Sequence, residues 1–288
     1  MNILVTGANG GYGQYALDYL KTFAGDDVQL FGLVRDEQKA KQLETKGITA
    51  RIGDFTDINS LINAFEGIDR LLFVSVSIPG IQKNVVEAIR QSHIQYVAYT
   101  SLFGLEHDRF GLEVNHSETE QLLETLDIPV TFLRNNWYFE IAAPELKASL
   151  EIGQHPDISK GGKMAWVLKR ELAEAGARVI LNPRNEKILN FAGTPVSYAQ
   201  LVIALSEVTE KVIQNKEVTL EQLEQLFSTT SISDFGLLAA KTYQSYAAND
   251  VLGIELSADP GILEDVLGHP LTPLNDVIKE LIAQSEVL

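Results

Sequence analysis

The stretch ILVTGANGGYGQYAL, Ile3 to Leu17, constrains the fold more than any other part of the chain. It reads as a buried strand, a glycine turn and the start of a helix. Its glycines, Gly7, Gly10 and Gly13, have the spacing GxxGxxG. Gly7 permits the tight turn, Gly10 lets backbone approach a pyrophosphate, and Gly13 lets the helix pack closely on the strand. The free amides at the helix N-terminus then face an anion. Asn9, Gly11 and Tyr12 complete the expected dinucleotide contacts of this turn.

The first 134 residues repeat the pattern. Apolar runs at 2–6, 28–34, 49–52, 71–77, 94–101 and 130–134 alternate with helix-like segments. Several runs are almost continuously apolar, as strands covered on both faces must be. EQKAKQLETKG and INSLINAFEG each end in a glycine suited to a helix C-cap. Such alternation predicts an α/β fold, a Rossmann-type doubly wound parallel sheet, over residues 1–134. Residues 135–288 are expected to form a smaller, mainly helical lobe for substrate. One strand near 187–193 (KILNFAG) is expected to return to the sheet, and the rest reads as helices, with Ser197 and Thr219 as caps.

Charge and composition narrow the partners. A net charge of −16 repels nucleic acid and anionic lipid, so neither is expected, and an anionic ligand needs a local positive site. The absence of cysteine excludes thiolate chemistry and cysteine-ligated zinc. No apolar run is long enough to span a bilayer, and MNILVTG lacks the pattern of a signal peptide. A cytoplasmic protein, monomer or homodimer, is the simple reading.

Arg35 ends the second strand, 22 residues past Gly13, where NAD-selective proteins usually place an acid. A guanidinium suits a 2′-phosphate instead, which favours NADPH over NADH. The adjoining Asp36 could equally reach a ribose. Lys39 could add charge, and Asp54 is expected near the adenine. Strand ends supply further candidates. Ser75, Ser77, Thr100 and Ser101 could hydrogen-bond the cofactor or merely cap adjacent turns. Phe103, Asn136, Trp137 and Tyr138 could hold a flat aromatic acceptor or form a hydrophobic hinge.

TGANGGYG, LVRD, IGDF, YVAYTS, HSETE, LRNNWYFE and LGHPLTPL together resemble the NmrA-like atypical short-chain dehydrogenases/reductases, nearest to the bacterial NADPH:quinone oxidoreductases of that group. The resemblance covers nearly the whole chain. It implies an NADPH-binding Rossmann domain and a small lobe closing over the nicotinamide. Ordinary short-chain dehydrogenases carry Tyr-xxx-Lys on the helix where this chain has His116 and Glu120. Reducing a ketone builds a basic alkoxide and needs a positioned acid. Reducing a quinone builds a delocalised anion that water can protonate, leaving orientation as the main catalytic task. The resemblance therefore implies hydride transfer to a quinone-like or enone acceptor.

His116 and Tyr138 are the candidates for acceptor contact or proton donation. His116 could instead be a hydrogen-bonded helix residue without catalytic duty. No metal site is expected, and Glu120 is assigned no chemistry. A non-enzymatic NADP(H) sensor is the alternative, motivated by the missing Tyr/Lys pair.

Overall fold

The computed structural model describes residues 1–250 and 253–283. From the N-terminus run β1 (Asn2–Val5), α1 (Gly11–Phe23), β2 (Gln29–Val34), α2 (Glu37–Thr45), β3 (Thr49–Ile52) and α3 (Ile58–Ala64). There follow β4 (Arg70–Phe73), α4 (Gln82–Arg90), β5 (Tyr96–Leu102), α5 (Leu112–Leu123) and β6 (Val130–Asn135). The second half contains α6 (Ala143–Ile152), β7 (Gln154–Asp157), β8 (Lys163–Met164), α7 (Lys169–Leu181), β9 (Ile188–Phe191) and β10 (Val196–Ser197). It ends with α8 (Tyr198–Thr209), β11 (Gln214–Glu217), α9 (Leu220–Phe227), α10 (Asp234–Ala248), α11 (Gly261–Leu267) and α12 (Leu274–Ala283).

Seven strands form one parallel sheet in the order β3-β2-β1-β4-β5-β6-β9. This is the Rossmann-type doubly wound sheet, and its order reverses between β1 and β4. Ligands of such sheets bind beyond the C-terminal strand ends at that reversal. Strand residues alternate between the two faces. Leu4, Phe31, Leu33, Leu71, Phe73, Val97, Tyr99 and Phe132 pack with α3, α4 and the end of α5. Ile3, Val5, Leu72, Ala98 and Leu133 point the other way and are equally buried. Gly47 and Gly67, the expected helix stops after α2 and α3, have φ of 73° and 72°.

The chain divides into two compact units. The sheet unit comprises Met1–Asn135, Lys169–Phe191 and Gly261–His269. β9 pairs with β6, as expected of the strand near 187–193, whereas α7, which packs on α1, and Gly261–His269 fall beyond a cut after residue 134. The Tyr12 hydroxyl donates to the Leu172 carbonyl at 2.9 Å, and a side chain at Gly176 would strike that hydroxyl.

The second unit is Asn136–Leu168, Ala192–Pro260 and Pro270–Leu288. It is mainly helical, as the sequence suggests. Antiparallel β8–β10 and parallel β7–β11 add two short sheets. Helices α8 and α9 begin as expected at Ser197 and Thr219, each with a capping box closed by Gln200 and Gln222. A buried polar cluster lies at β7. Ser149 Oγ meets His155 Nδ1 at 2.9 Å, Gln244 Nε2 donates to Glu145 Oε2 at 2.7 Å, and Asp157 accepts from Ser159 and Asn215.

Burial raises the Glu145 carboxyl to about 8 and holds His155 below its ordinary value. Glu145 thus keeps its proton in the folded state where the unfolded carboxyl has lost it. Its contribution is fully present below the ordinary carboxylate value of 4.5 and is lost as pH rises through 8. His155 acts oppositely, and only below its ordinary value of 6.5. Between pH 6.5 and 8 Glu145 therefore dominates this cluster. Stability is expected to fall across that window by up to about 1.4 kcal/mol per pH unit. Urea denaturation of Glu145→Gln should show a flatter profile, and an unchanged slope would refute the assignment.

Candidate functional site in the sheet unit

The turn after β1 is built from backbone geometry. Gly7 stands at φ +60°, and the Gly10 N–H donates to the Gly7 carbonyl at 2.8 Å. Gly13 presses against the same peptide: a Cβ there would lie 2.2 Å from the Gly7 oxygen. Helix α1 starts with no side-chain cap and no acidic residue in its first turn. Its positive end meets no carboxylate from its own first turn and suits a phosphate. Across the turn, a Cβ at Gly11 would come within 3.4 Å of Lys169 Nζ. Sequence reading missed this cation, which comes from the first residue of α7, 158 positions away in a stretch with no glycine signature. Of the other turn residues, Asn9 offers its carbonyl to Gln14 Nε2, and the Tyr12 side chain packs against α7 instead of facing the turn.

At the end of β2 Arg35 and Asp36 have different surroundings. Asp36 is the N-cap of α2, accepting from the Lys39 N–H at 2.9 Å, and its other oxygen pairs with Lys39 Nζ at 3.6 Å. The carboxylate thus caps the helix and pairs at the surface with Lys39, the charge expected to assist Arg35. Arg35 itself is exposed. Asp54 accepts from both the N–H and the hydroxyl of Thr56. Those bonds, with Arg35 nearby, hold its carboxyl below the ordinary value.

Strand β4 stops at Phe73, short of the run to Ser77 read from the sequence, so Ser75 and Ser77 lie in the following loop. Side chains capture that loop's backbone. The Ser75 N–H donates to Thr100 Oγ1 at 2.8 Å, and the two hydroxyls lie 3.1 Å apart. The Val76 N–H donates to Gln82 Oε1 at 3.1 Å, and its carbonyl accepts from Asn115 Nδ2 at 2.9 Å. Ser77 is exposed.

Helix α5 carries the pair His116 and Glu120, but their side chains serve different partners. Glu120 receives Arg134 Nε at 3.0 Å and Nη2 at 2.7 Å, and the Ser101 hydroxyl at 2.5 Å. It ties α5 to β5 and β6 as a buried counter-ion. Since Ser101 donates its only proton there, its oxygen can only accept from a ligand. His116 is buried, its Nδ1 3.0 Å from the Tyr99 hydroxyl, and burial lowers the imidazole to about 4. It is a neutral ring at physiological pH. Among the described residues no cluster of three His, Asp or Glu side chains could hold a metal ion.

Phe103 is half-buried in the sheet unit, with the Arg109 guanidinium 6.0 Å from its ring centre. The other expected acceptor contacts belong to the second unit. Asn136 Nδ2 donates to Glu255 Oε2 at 3.0 Å and Ala165 O at 3.3 Å, while its Oδ1 accepts from the Trp137 N–H. Trp137 is buried edge-on against Tyr243 and Tyr246. Both side chains are therefore committed to the interior of that unit, contrary to the expectation of acceptor contact. Tyr138 is half-buried, and its hydroxyl is pushed well above the ordinary tyrosine value by burial and by the charge of Glu140, so it stays protonated.

Comparison with known proteins agrees with this fold. The model of the NmrA-like family matches residues 1–259. Quinone oxidoreductase 2 of Escherichia coli is 32% identical, covering 97% of this chain and 98% of its own. The crystal structure of Citrobacter sp. triphenylmethane reductase complexed with NADP(H) aligns with TM-score 0.86 and 29% identity, over 98% of this chain and 100% of that one. That of the Escherichia coli NADPH-dependent quinone oxidoreductase complexed with NADPH aligns with TM-score 0.82 and 29% identity, over 97% and 99%. With the glycine turn, the strand order and the near-complete overlap all in accord, this chain belongs to the NmrA-like family.

Proposed function

We propose that this chain is an NADPH-dependent oxidoreductase that delivers hydride to a quinone-like or enone acceptor. The observation that carries the reading is the commitment of Asp36 to the α2 cap beside an exposed Arg35. A ribose 2′-hydroxyl then meets a carboxylate already shared with the α2 N-terminus and Lys39, whereas a 2′-phosphate has a guanidinium. The α1 N-terminus and Lys169 would hold the pyrophosphate, supplying the local positive site that a chain of net charge −16 needs. Ser75 and Thr100 would fix the loop beneath the ribose. Bound NADPH supplies the hydride.

The acceptor class follows from the acid that is missing. His116 is neutral, and Glu120 is bound to Arg134, so neither corresponds to a tyrosine–lysine proton donor. An acceptor that becomes a weakly basic, delocalised anion tolerates this, because water can complete the protonation. The residues of the sheet unit assigned to it are His116 as a hydrogen-bond donor and Phe103 as a stacking face. The similarity to reductases of quinones and of triphenylmethane dyes supports the same class.

Arg35→Ala is expected to weaken NADPH binding about 10- to 100-fold, the worth of hydrogen bonds to a charged phosphate, and to leave NADH binding nearly unchanged. Calorimetric titration with both cofactors measures this, and equal wild-type affinity for the two would refute the assignment. Purified protein should also accelerate NADPH oxidation by a panel of quinones. Tight NADPH binding without turnover would replace the enzyme with a dinucleotide sensor.

A further inference from the structure

Hydrogen-bond direction can be followed residue by residue from the loop after β4 to His116. The Val76 N–H can only donate, so the Gln82 atom 3.1 Å away must be the amide oxygen. That fixes the Gln82 amide, whose Nε2 then donates to Tyr99 Oη at 3.2 Å and to Thr119 Oγ1 at 2.9 Å. Thr119 passes its own proton to the Asn115 carbonyl at 2.8 Å. Tyr99 accepts from Gln82 and has a single proton left to give. Its remaining neighbours are His116 Nδ1, 3.0 Å away, and the Thr119 hydroxyl, which already accepts from Gln82. With the Thr119 oxygen already taken by Gln82, Nδ1 is assigned as the acceptor, and a neutral imidazole then carries its proton on Nε2. Among the described residues Nε2 has no protein hydrogen-bond partner, and it is not sealed from solvent.

We infer that Gln82 and Tyr99 are positioning residues that lock His116 as its Nε2–H tautomer, presenting a fixed hydrogen-bond donor to the acceptor's oxygen. This rests on the reading of His116 as an acceptor contact. The carbonyl oxygen of a quinone gains negative charge as hydride arrives, so a donor held in place strengthens its bond in the transition state without transferring a proton. A histidine that titrated near neutrality would couple turnover to pH, whereas one buried on Tyr99 does not. The Gln82 and Asn115 side chains also hold both polar groups of residue 76, so the same network sets the loop and the imidazole together.

The test is the tautomer itself. Full-length protein labelled with ¹⁵N-histidine is recorded by long-range ¹H–¹⁵N correlation between pH 5.5 and 8.5, with His116→Gln identifying the resonance. The expected result is one neutral tautomer, protonated at Nε2 and invariant with pH, that becomes a mixture in Tyr99→Phe. A proton on Nδ1 would mean that Tyr99 donates to Thr119 instead and would overturn the inference. So would titration within the range, or an unchanged tautomer in Tyr99→Phe. That variant keeps the ring packed 4.9 Å from Phe73 and so should fold, which thermal melting verifies. Activity gives the second readout. His116→Gln, which retains a donor, should keep about tenfold more kcat than His116→Leu at unchanged KM for NADPH. Equal kcat values would remove the acceptor contact. Absence of quinone turnover in wild type defeats the proposed function but leaves the tautomer measurement decisive.

Discussion

Gly13→Ala is expected to abolish measurable NADPH binding and to destabilise the chain by about 3 kcal/mol or more, at the upper end of overpacking costs. The added methyl would sit 2.2 Å from the Gly7 carbonyl oxygen and 2.8 Å from its carbon. Neither neighbour can give way cheaply, because Gly7 is held at φ +60° and its carbonyl already accepts from Gly10. Helix α1 must lift off the turn, and its N-terminal amides move with it. Gly47→Ala is the control: its φ is +73° with nothing within 4 Å of a built Cβ, so only backbone strain of about 1 kcal/mol applies. Urea denaturation with NADPH titration checks both. A Gly13→Ala protein that binds NADPH normally would refute the close approach.

Glu120→Ala is expected to cost about 3 kcal/mol of stability, the low end of the range for breaking a buried pair, because the Arg134 side chain keeps 20% exposure. The loss leaves a guanidinium without its two carboxylate bonds and Ser101 without its acceptor. Adding Arg134→Met should recover most of it, since an apolar pair needs no counter-ion. The measurement is the urea midpoint at constant slope. A single variant as stable as wild type would show that the pair contributes only surface electrostatics. Glu120 thus belongs to the frame that joins α5 to β5 and β6, while His116, one helical turn away, bonds Tyr99 instead.

How much of this was legible depends on how local each cause is. The sheet was readable because buried parallel strands need continuous apolar runs and because Gly7, Gly13, Gly47 and Gly67 sit where the backbone demands them. The premature end of β4 was not. Its sequence stays strand-like to Ser77, but Gln82 and Asn115, 6 and 39 residues onward, take the backbone groups of Val76. Asn136 looked like a ligand residue because it follows a strand end. Its amide is satisfied by Glu255, 119 residues away, and no sequence pattern marks that. Strand β11, QNKE, is exposed throughout and pairs with β7 at a distance of sixty residues. Without an apolar face it carries no periodic signal. Lys169 escaped notice for the same reason: its relation to Gly11 exists only once α7 has folded onto α1.

The interleaved course of the chain bears on its synthesis. The polypeptide passes between its two units five times, at 135/136, 168/169, 191/192, 260/261 and 269/270. On a ribosome, the six strands that emerge first have no α7 to cover α1 and no β9 to pair with β6 until residue 191 has appeared. A nascent chain halted near residue 135 therefore exposes a sheet edge and the apolar face of α1, both sites for chaperone capture. The two halves cannot be separated by a single cut, so neither can be exchanged between relatives as a cassette.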